Sequence, residues 1–218
     1  MSVASRDGRA SRSEKAAATR EAITAAAMGE FADKGFAAAR MEDVAKRAGV
    51  AKGTVYLHFR DKQSLFEGIL RSVLVSPLAE AASAGPLPDE TVRAFIERRL
   101  LPLFAEIGTS RRGDVVRLLI AEGGRCPELA ETYYREVVQR GLGLLQSLGA
   151  RAREAGEPGA EILETAPQLL FAPALVGLVW GGLFQHLQPI DASALMRAQL
   201  ALIFGPWPAG CKPGAEQG

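Results

Sequence analysis

The 218-residue chain contains only two cysteines, few aromatic residues and almost no net charge. Cys126 and Cys211 are far apart and belong to no CxxC or Cys/His cluster, which argues against a disulfide framework and a structural zinc site. We therefore expect two reduced thiols, with no bound metal and no cofactor. Aromatic residues make up 6% of the chain and the formal net charge is +1, so composition alone indicates neither a polyanion nor a membrane as partner.

The motifs of common enzymes are also missing from the sequence. It contains no HExxH, no GxSxG, no P-loop and no GxGxxG after a strand. The two histidines, His58 and His186, can each be explained by their local sequence context without a catalytic role. We therefore predict that the protein is not an enzyme, and an enzyme is the alternative hypothesis. Residues 1–15 are small and polar and hold no apolar run that could act as a signal peptide, which favours the cytoplasm.

The small net charge hides an asymmetry between the two parts of the chain. Residues 1–62 carry 12 Lys/Arg against 8 Asp/Glu, a net charge of +4, whereas residues 63–218 carry a net charge of −3. A local basic face attracts a polyanion through counterion release, whatever the total charge is. Charge alone is equally compatible with a solvated basic surface that has no partner.

Helical spacing dominates the sequence, and no segment shows the sustained alternation of a strand. Ile23, Ala27 and Phe31 recur every four residues on the first helix, and Gly35 is placed to end it. Pro102 should distort the fifth helix. The pattern predicts an all-α fold of nine helices, near residues 14–34, 41–48, 52–58, 62–82, 89–107, 113–123, 127–155, 161–187 and 191–204.

The second and third helices carry the packing signature of a helix-turn-helix. Ala45 allows two helix axes to approach closely, Gly49 can take a positive φ in a tight turn, and Val55 can fill the angle between the helices. Helices this short cannot be stable alone, so they must pack on each other and on the first helix. The spacing Ala-x3-Gly-x5-Val therefore predicts a three-helix N-terminal domain.

The outer face of the third helix carries the side chains that phosphate and base-edge contacts require. Taken singly, Tyr56 could be a half-buried core residue, His58 a surface histidine and Thr54 an ordinary helix residue. Together with the helix-turn-helix spacing and the basic N-terminal part, they predict DNA binding. The candidate DNA-binding residues are Arg40, Lys52, Gly53, Thr54, Tyr56, His58 and Lys62.

Residues 14–66 resemble the N-terminal domain of the tetracycline-repressor (TetR) family. The likeness rests on FADKGF at 31–36, MEDVAKRAGVAKGTVYLHF at 41–59 and DKQSLF at 61–66. It implies an all-helical homodimeric transcription regulator, most often a repressor released by a small ligand. It also implies that Lys52, Thr54, Tyr56, His58 and Lys62 occupy DNA-contacting positions. The chain departs from the family in having Ala39-Arg40 where Thr or Ser commonly precedes the second helix.

The C-terminal part carries no chemical motif, but charged residues interrupt its apolar helix faces. Arg99, Glu122 and Arg140 either pair with one another or reach the surface, or else some of them orient a ligand. The family resemblance implies a ligand pocket in this part. The candidate ligand-binding residues are Phe95, Arg99, Phe104, Glu122, Tyr133 and Trp180.

One long segment, 165–190, contains no Asp, Glu, Lys or Arg. Its apolar centre, 169–184, is short against the roughly 20 residues of a membrane span. Burial against a twofold partner explains a helix without a polar face, with Gly177 and Gly181 allowing close approach. Helices 161–187 and 191–204 of two protomers would then form a four-helix bundle. The resemblance implies the same homodimer and no membrane.

These inferences combine into a two-domain regulator. We expect a helix-turn-helix DNA-binding domain over 1–62, a ligand-binding and dimerisation domain over 63–205, and a disordered tail over 206–218. The predicted function is sequence-specific DNA binding by a repressor that a small, largely apolar ligand releases from a double-stranded operator. The alternatives are a nucleoid-type DNA protein without a ligand and a membrane-tethered regulator.

Overall fold

A computed structural model describes the backbone of residues 4–205 and the side chains of residues 13–205. Within that range the chain forms ten helices and no strand, which confirms the predicted all-α class. Cys211 and the predicted disordered tail at 206–218 lie outside the described residues. The helices are α1 (Ala4–Ala38), α2 (Met41–Ala48), α3 (Lys52–His58), α4 (62–83), α5 (92–105), α6 (Arg111–Glu122), α7 (127–154), α8 (Ala160–Thr165), α9 (Gln168–Leu183) and α10 (Ala192–Phe204).

The described residues form ten helices where the sequence predicted nine, because the predicted helix 161–187 is two helices. The break falls at Ala166, whose φ of −140° and ψ of 51° are not helical. Pro167 follows directly and disfavours the helical conformation in the residue before it. A second irregularity was predicted at Pro102, and α5 contains a π-helical turn, Ile96–Leu100, just before that proline.

The described residues form two compact units. The first contains the chain up to Leu74 together with Asp114–Glu136, and the second contains Val75–Gly113 and the chain from Val137 onwards. The predicted functional division at residue 62 stays a prediction, because compactness does not test which part binds DNA or ligand.

In the first unit, α1 buries the apolar residues that recur every four positions in its sequence. Ile23, Ala27 and Phe31 are almost fully buried. The ring of Phe36 lies 5.0 Å from that of Phe31 and 5.9 Å from that of Phe66, so aromatic side chains link α1 to α4. Gly35 has a φ of 77°, which interrupts the helical backbone at the predicted position, although helical geometry resumes as far as Ala38.

The turn between α2 and α3 has the conformation that the spacing predicted. Gly49 follows α2 in the left-handed region, with a φ of 69°, and its N–H donates to the carbonyls of Ala45 and Lys46. Ala45 and Val55 are both buried, so a small residue and a branched one fill the angle between the two helices. This local arrangement directs the opposite side of α3 outward.

An ion-pair network joins α2 to α1. Glu30 accepts from Lys34 at 2.7 Å and from Arg47 at 3.3 Å, and Lys34 also reaches Asp43 at 2.9 Å. The hydrogen bond from Lys34, with the nearby Arg47, holds the pKa of the Glu30 carboxyl below its ordinary value. The orientation of α2 on α1 therefore depends on charge pairing as well as on the apolar core.

The second unit packs the C-terminal parts of α4 and α7 with α5, α8, α9 and α10 around one apolar core. Its most buried members are Val92, Phe95, Ile96, Leu100, Ala152, Leu163, Leu170 and Leu200. The segment that leads into α5 is held by Glu90, which accepts two hydrogen bonds from Arg98, at 2.6 and 2.7 Å. The Arg98 guanidinium lowers the pKa of the Glu90 carboxyl to about 2.

Within the second unit, α9 buries one side and leaves large apolar side chains exposed on the other. Those exposed by about two fifths or more are Leu169, Leu175, Val176, Val179 and Leu183, and Leu202 of α10 is 79% exposed. Gly181 is also exposed. Gly177 instead faces Ala192 of α10 in the same chain, and a Cβ added at Gly177 would lie 3.2 Å from the Cβ of Ala192. Gly177 therefore allows close packing of α9 on α10 within the protomer, and its predicted place between protomers stays a prediction. Among the described helices, none is both long enough and apolar enough to cross a membrane.

Candidate nucleic-acid interface

Helix α3 has one buried side and one open side. Val55 is fully buried, whereas Lys52, Gly53 and Tyr56 are exposed, with 42% of the Tyr56 surface accessible. Thr54 and His58 are partly exposed. A Cβ at Gly53 would meet nothing within 4 Å, so the start of the helix is open to close approach. The structure thus brings a cation, a hydroxyl, a phenol and an imidazole together on one short helix.

Leu57 was left out of the sequence-based site and is the most exposed large apolar residue of the described chain. Its side chain is 87% accessible. The helical repeat contains the signal that could have found it: two residues after buried Val55, a side chain points about 200° away, toward the opposite side of the helix. Leu57 therefore lies on the open side of α3 with Tyr56.

Lys52 is already paired within the first unit. Its ammonium lies 2.7 Å from a carboxylate oxygen of Glu42 on α2 and 5.8 Å from the centre of the Tyr56 ring. The hydrogen bond raises the pKa of Lys52 and lowers that of Glu42. Both partners are largely exposed, so the ion pair can open at a modest cost when another anion competes.

Arg20 supports the C-terminal end of α3 from α1, a role that the sequence interpretation did not identify. Its guanidinium lies 4.3 Å from the centre of the Phe59 ring and donates a hydrogen bond of 3.4 Å to the carbonyl of His58. A cation beside the last carbonyls of a helix is favourable. Arg20 therefore helps to hold the end of α3 in place.

Lys62 and Asp61 organise the start of α4. The Lys62 ammonium donates to the carbonyls of Phe36, at 2.6 Å, and Ala37, at 2.8 Å. Asp61 accepts from the Ser64 N–H at 2.7 Å, and the Ser64 hydroxyl accepts from the Asp61 N–H, so the two residues form a capping box. Two of the three ammonium N–H groups of Lys62 are thus engaged with the end of α1.

Arg40 occupies the N-cap position of α2. Its backbone is extended and its side chain makes no capping hydrogen bond in the described structure, as expected where Ser or Thr is replaced. The side chain is exposed. Its charge is therefore available to solvent at the first turn of α2.

The predicted ligand-binding residues divide between the two units, and four of them belong to the second. Phe95 is buried in the core, and the Phe104 ring lies 6.1 Å from that of Phe171. Trp180 donates its indole N–H to the carbonyl of Gln188 at 2.6 Å. Arg99 donates to the carbonyls of Glu80, at 2.9 Å, and Ala81, at 3.3 Å, so it satisfies the end of α4.

The remaining two candidates, Glu122 and Tyr133, belong to the first unit. The Glu122 carboxylate lies beside Gly35, where a Cβ would come within 3.1 Å of it, and 3.9 Å from Arg125. Burial raises the pKa of the Tyr133 phenol. Among the side chains that the structure describes, no group of three or more His, Cys, Asp or Glu is placed to hold a metal ion.

Two family models match most of the chain. Residues 23–69 match the bacterial regulatory proteins of the tetR family, and residues 87–199 match the tetracyclin repressor-like C-terminal domain. The transcriptional repressor BepR of Brucella suis is 30% identical over 167 residues, which cover 72% of this chain and 78% of BepR. The regulator RutR of Escherichia coli is 36% identical over 92 residues, 41% of this chain and 43% of RutR.

Solved structures have the same fold. SmeT is the repressor of a Stenotrophomonas maltophilia multidrug efflux pump. The structure of its triclosan complex matches with a TM-score of 0.72 at 22% identity, and the match covers 91% of this chain and 100% of the SmeT chain. NalD of Pseudomonas aeruginosa, a secondary repressor of the MexAB-OprM efflux pump, has a TM-score of 0.65 at 26% identity and covers 88% and 100%. With the matches to both family models and to BepR, these likenesses show that the chain belongs to the TetR family of transcriptional regulators.

Proposed function

We propose that this protein is a homodimeric repressor that binds a roughly palindromic DNA operator through α3 and leaves it when a small, largely apolar ligand binds. The observation that carries the proposal is the open side of α3, which places Tyr56 and Lys52 outward while Val55 anchors the helix. A helix held in this way fits a major groove. The proposed DNA contacts are Arg40, Lys52, Gly53, Thr54, Tyr56, His58 and Lys62.

The proposed contacts divide into two kinds. Arg40 and Lys52 supply charge for phosphates, which sets affinity and salt dependence. Thr54, Tyr56 and His58 carry groups that can reach base edges, which sets sequence preference. Lys62 has one N–H group beyond the two that bind α1, so a phosphate contact there is compatible with its role in the fold.

The proposed dimer uses the exposed apolar side of α9 and α10. Val176, Val179 and Leu183 follow one another at helical spacing along α9 and are about half exposed. A continuous apolar stripe of this kind is typical of a protein interface. A twofold partner would cover it and would place two copies of α3 at half-sites about 34–36 Å apart along the DNA.

Repression is supported by two of the relatives. BepR and NalD are described as repressors, the latter of a multidrug efflux pump. The match of 87–199 to the repressor-like C-terminal domain fits ligand binding, and the aromatic candidates Phe104 and Trp180 would suit an apolar effector. An effector that binds one conformation better shifts the equilibrium only by that difference in affinity. We expect such a compound to raise the unfolding temperature and to dissociate the operator complex.

The proposal is tested by selecting an operator from random-sequence DNA with the full chain and then measuring the Thr54→Ala, Tyr56→Ala double variant. We expect its operator affinity to fall about 30-fold or more, since each base-edge contact contributes about 1–3 kcal/mol. The salt dependence should stay the same, because neither side chain is charged. Electrophoretic mobility shift at several salt concentrations measures both quantities.

A matched control replaces a threonine and a tyrosine outside α3. Thr109 is exposed and Tyr134 is 52% exposed. The Thr109→Ala, Tyr134→Ala double variant should bind the operator like the wild type. Equal operator affinities of the wild type and the α3 variant would exclude α3 as the DNA-reading element.

Glu42 provides a second test, because its carboxylate competes with DNA for Lys52. Replacing Glu42 with Gln releases the ammonium and removes a negative charge beside α3. We expect affinity for operator and non-specific DNA to rise roughly fivefold, since an exposed ion pair is weak and competes only modestly with DNA. The slope of log affinity against log salt should steepen by up to about 0.9, the value for one more phosphate contact.

Asp114→Asn is the control for the Glu42 variant. Asp114 is exposed and pairs with Arg117 at 2.8 Å, so its replacement removes the same charge elsewhere in the first unit. Titration of a fluorescent operator at increasing salt compares the two variants. An equal rise in both would assign the effect to net charge and not to release of Lys52.

A further inference from the structure

The side chain of Leu57 takes little part in the packing of the first unit, so packing does not explain why this residue is a leucine. It is 87% exposed, between Tyr56 and His58 on the open side of α3. Val55 already supplies the apolar contact that anchors this short helix. The exposed leucines of α9 belong to a continuous stripe of the second unit, whereas Leu57 is surrounded on α3 by polar groups.

The chemistry of leucine restricts what Leu57 can recognise. The side chain has no hydrogen-bond donor or acceptor, so it cannot bind a phosphate or the polar edge of a base. The major groove offers one apolar group to such a side chain, the C5 methyl of thymine. Gly53, which has open space around it, allows the helix to approach a groove closely enough for this contact.

We propose that Leu57 is a specificity-determining residue that packs against a thymine methyl group in each operator half-site. The inference rests on the proposed DNA-binding function of α3 and adds a base preference to it. Tyr56 on one side and His58 on the other occupy the same turn, so polar contacts by these neighbours would position Leu57 over a single base pair. The operator should therefore contain a thymine at one position of each half-site.

Replacement of thymine by deoxyuridine, which removes only the C5 methyl, tests this contact. The operator is first selected from random-sequence DNA with the full-length protein, and each of its thymines is then replaced singly. We expect one position per half-site at which the replacement lowers wild-type affinity roughly fourfold, the value for one buried methyl group. The Leu57→Ala variant should bind the thymine and deoxyuridine forms of that site equally.

Two further variants sharpen the result. Leu57→Met keeps an apolar side chain of similar size and should retain the preference for thymine. Leu87→Ala removes a leucine that is 57% exposed in the segment before α5, and should behave like the wild type. Because Leu57 is almost fully exposed, its replacement leaves the core intact, and equal circular dichroism spectra and unfolding temperatures verify this.

The outcomes separate this inference from the proposed function. Recovery of no operator would overturn the proposed function itself. Recovery of an operator at which no deoxyuridine replacement has an effect, or at which Leu57→Ala keeps the wild-type sensitivity, would overturn the role of Leu57 alone. If Leu57→Ala weakens binding to every sequence to the same degree, the leucine contacts the sugar–phosphate backbone, and the thymine contact is excluded.

Discussion

Replacing both Val176 and Val179 with aspartate is expected to convert the protein to monomers and to lower its operator affinity about 10²–10⁴-fold, since two linked half-sites bind more tightly than one by about that factor. The two valines are 50% and 48% exposed and lie in the middle of the apolar stripe of α9. In a dimer they would be buried, and four carboxylates at one interface could not all be paired or solvated. In the monomer they face water, so the second unit should stay folded.

Analytical ultracentrifugation and operator titration measure the two effects of this double variant. Ile120→Asp serves as a control, because Ile120 is 63% exposed on α6 and is not a member of the apolar stripe of α9 and α10. This control should sediment and bind DNA like the wild type. A double variant that remains dimeric with unchanged operator affinity would show that the stripe is not the interface.

Replacing Val55 with aspartate should unfold the helix-turn-helix. Val55 has no accessible surface and lies where α2 and α3 meet. A buried carboxylate without a partner costs about 3–5 kcal/mol, a large part of the 5–15 kcal/mol that holds a typical domain together. We expect lost operator binding and a urea midpoint well below that of the wild type, measured by circular dichroism.

Leu57→Asp is the matched comparison, because it introduces the same charge two residues further along the same helix. Leu57 is 87% exposed, so its carboxylate would remain in water and the urea midpoint should stay close to the wild-type value. Similar midpoints for the two aspartate variants would contradict the assignment of Val55 as the residue that anchors α3. The comparison uses unfolding alone, since a negative charge on α3 would weaken DNA binding in either case.

The helix-turn-helix could be predicted from the sequence almost residue by residue. The predicted ranges 41–48 and 52–58 are the observed α2 and α3. Three residues with distinct steric properties, Ala45, Gly49 and Val55, occur within eleven positions, and short-range packing leaves few other arrangements for them. Leu57 was missed because its apolar character was given more weight than its position on the helix.

Longer helices were predicted less accurately, since a proline changes a boundary without changing the apolar pattern around it. Hydrophobicity continues through Pro167, so the periodicity alone joined α8 and α9. The backbone restriction that proline places on Ala166 separates them. The effect of a proline on the residue before it could have been applied to the sequence, but the continuous hydrophobicity of the segment was given more weight.

By itself the sequence determined the all-α class and the local geometry of α2 and α3, because both follow from residues close together in the chain. It also showed directly that 165–190 contains no charged residue. The tertiary structure decided the distant partners of several charged side chains. Lys62 binds carbonyls 25 and 26 positions away, and Arg99 binds carbonyls 18 and 19 positions away. The contact between Gly177 and Ala192 was likewise decided by the tertiary structure. Such contacts depend on where the chain returns to itself, and helical periodicity carries no record of that distance.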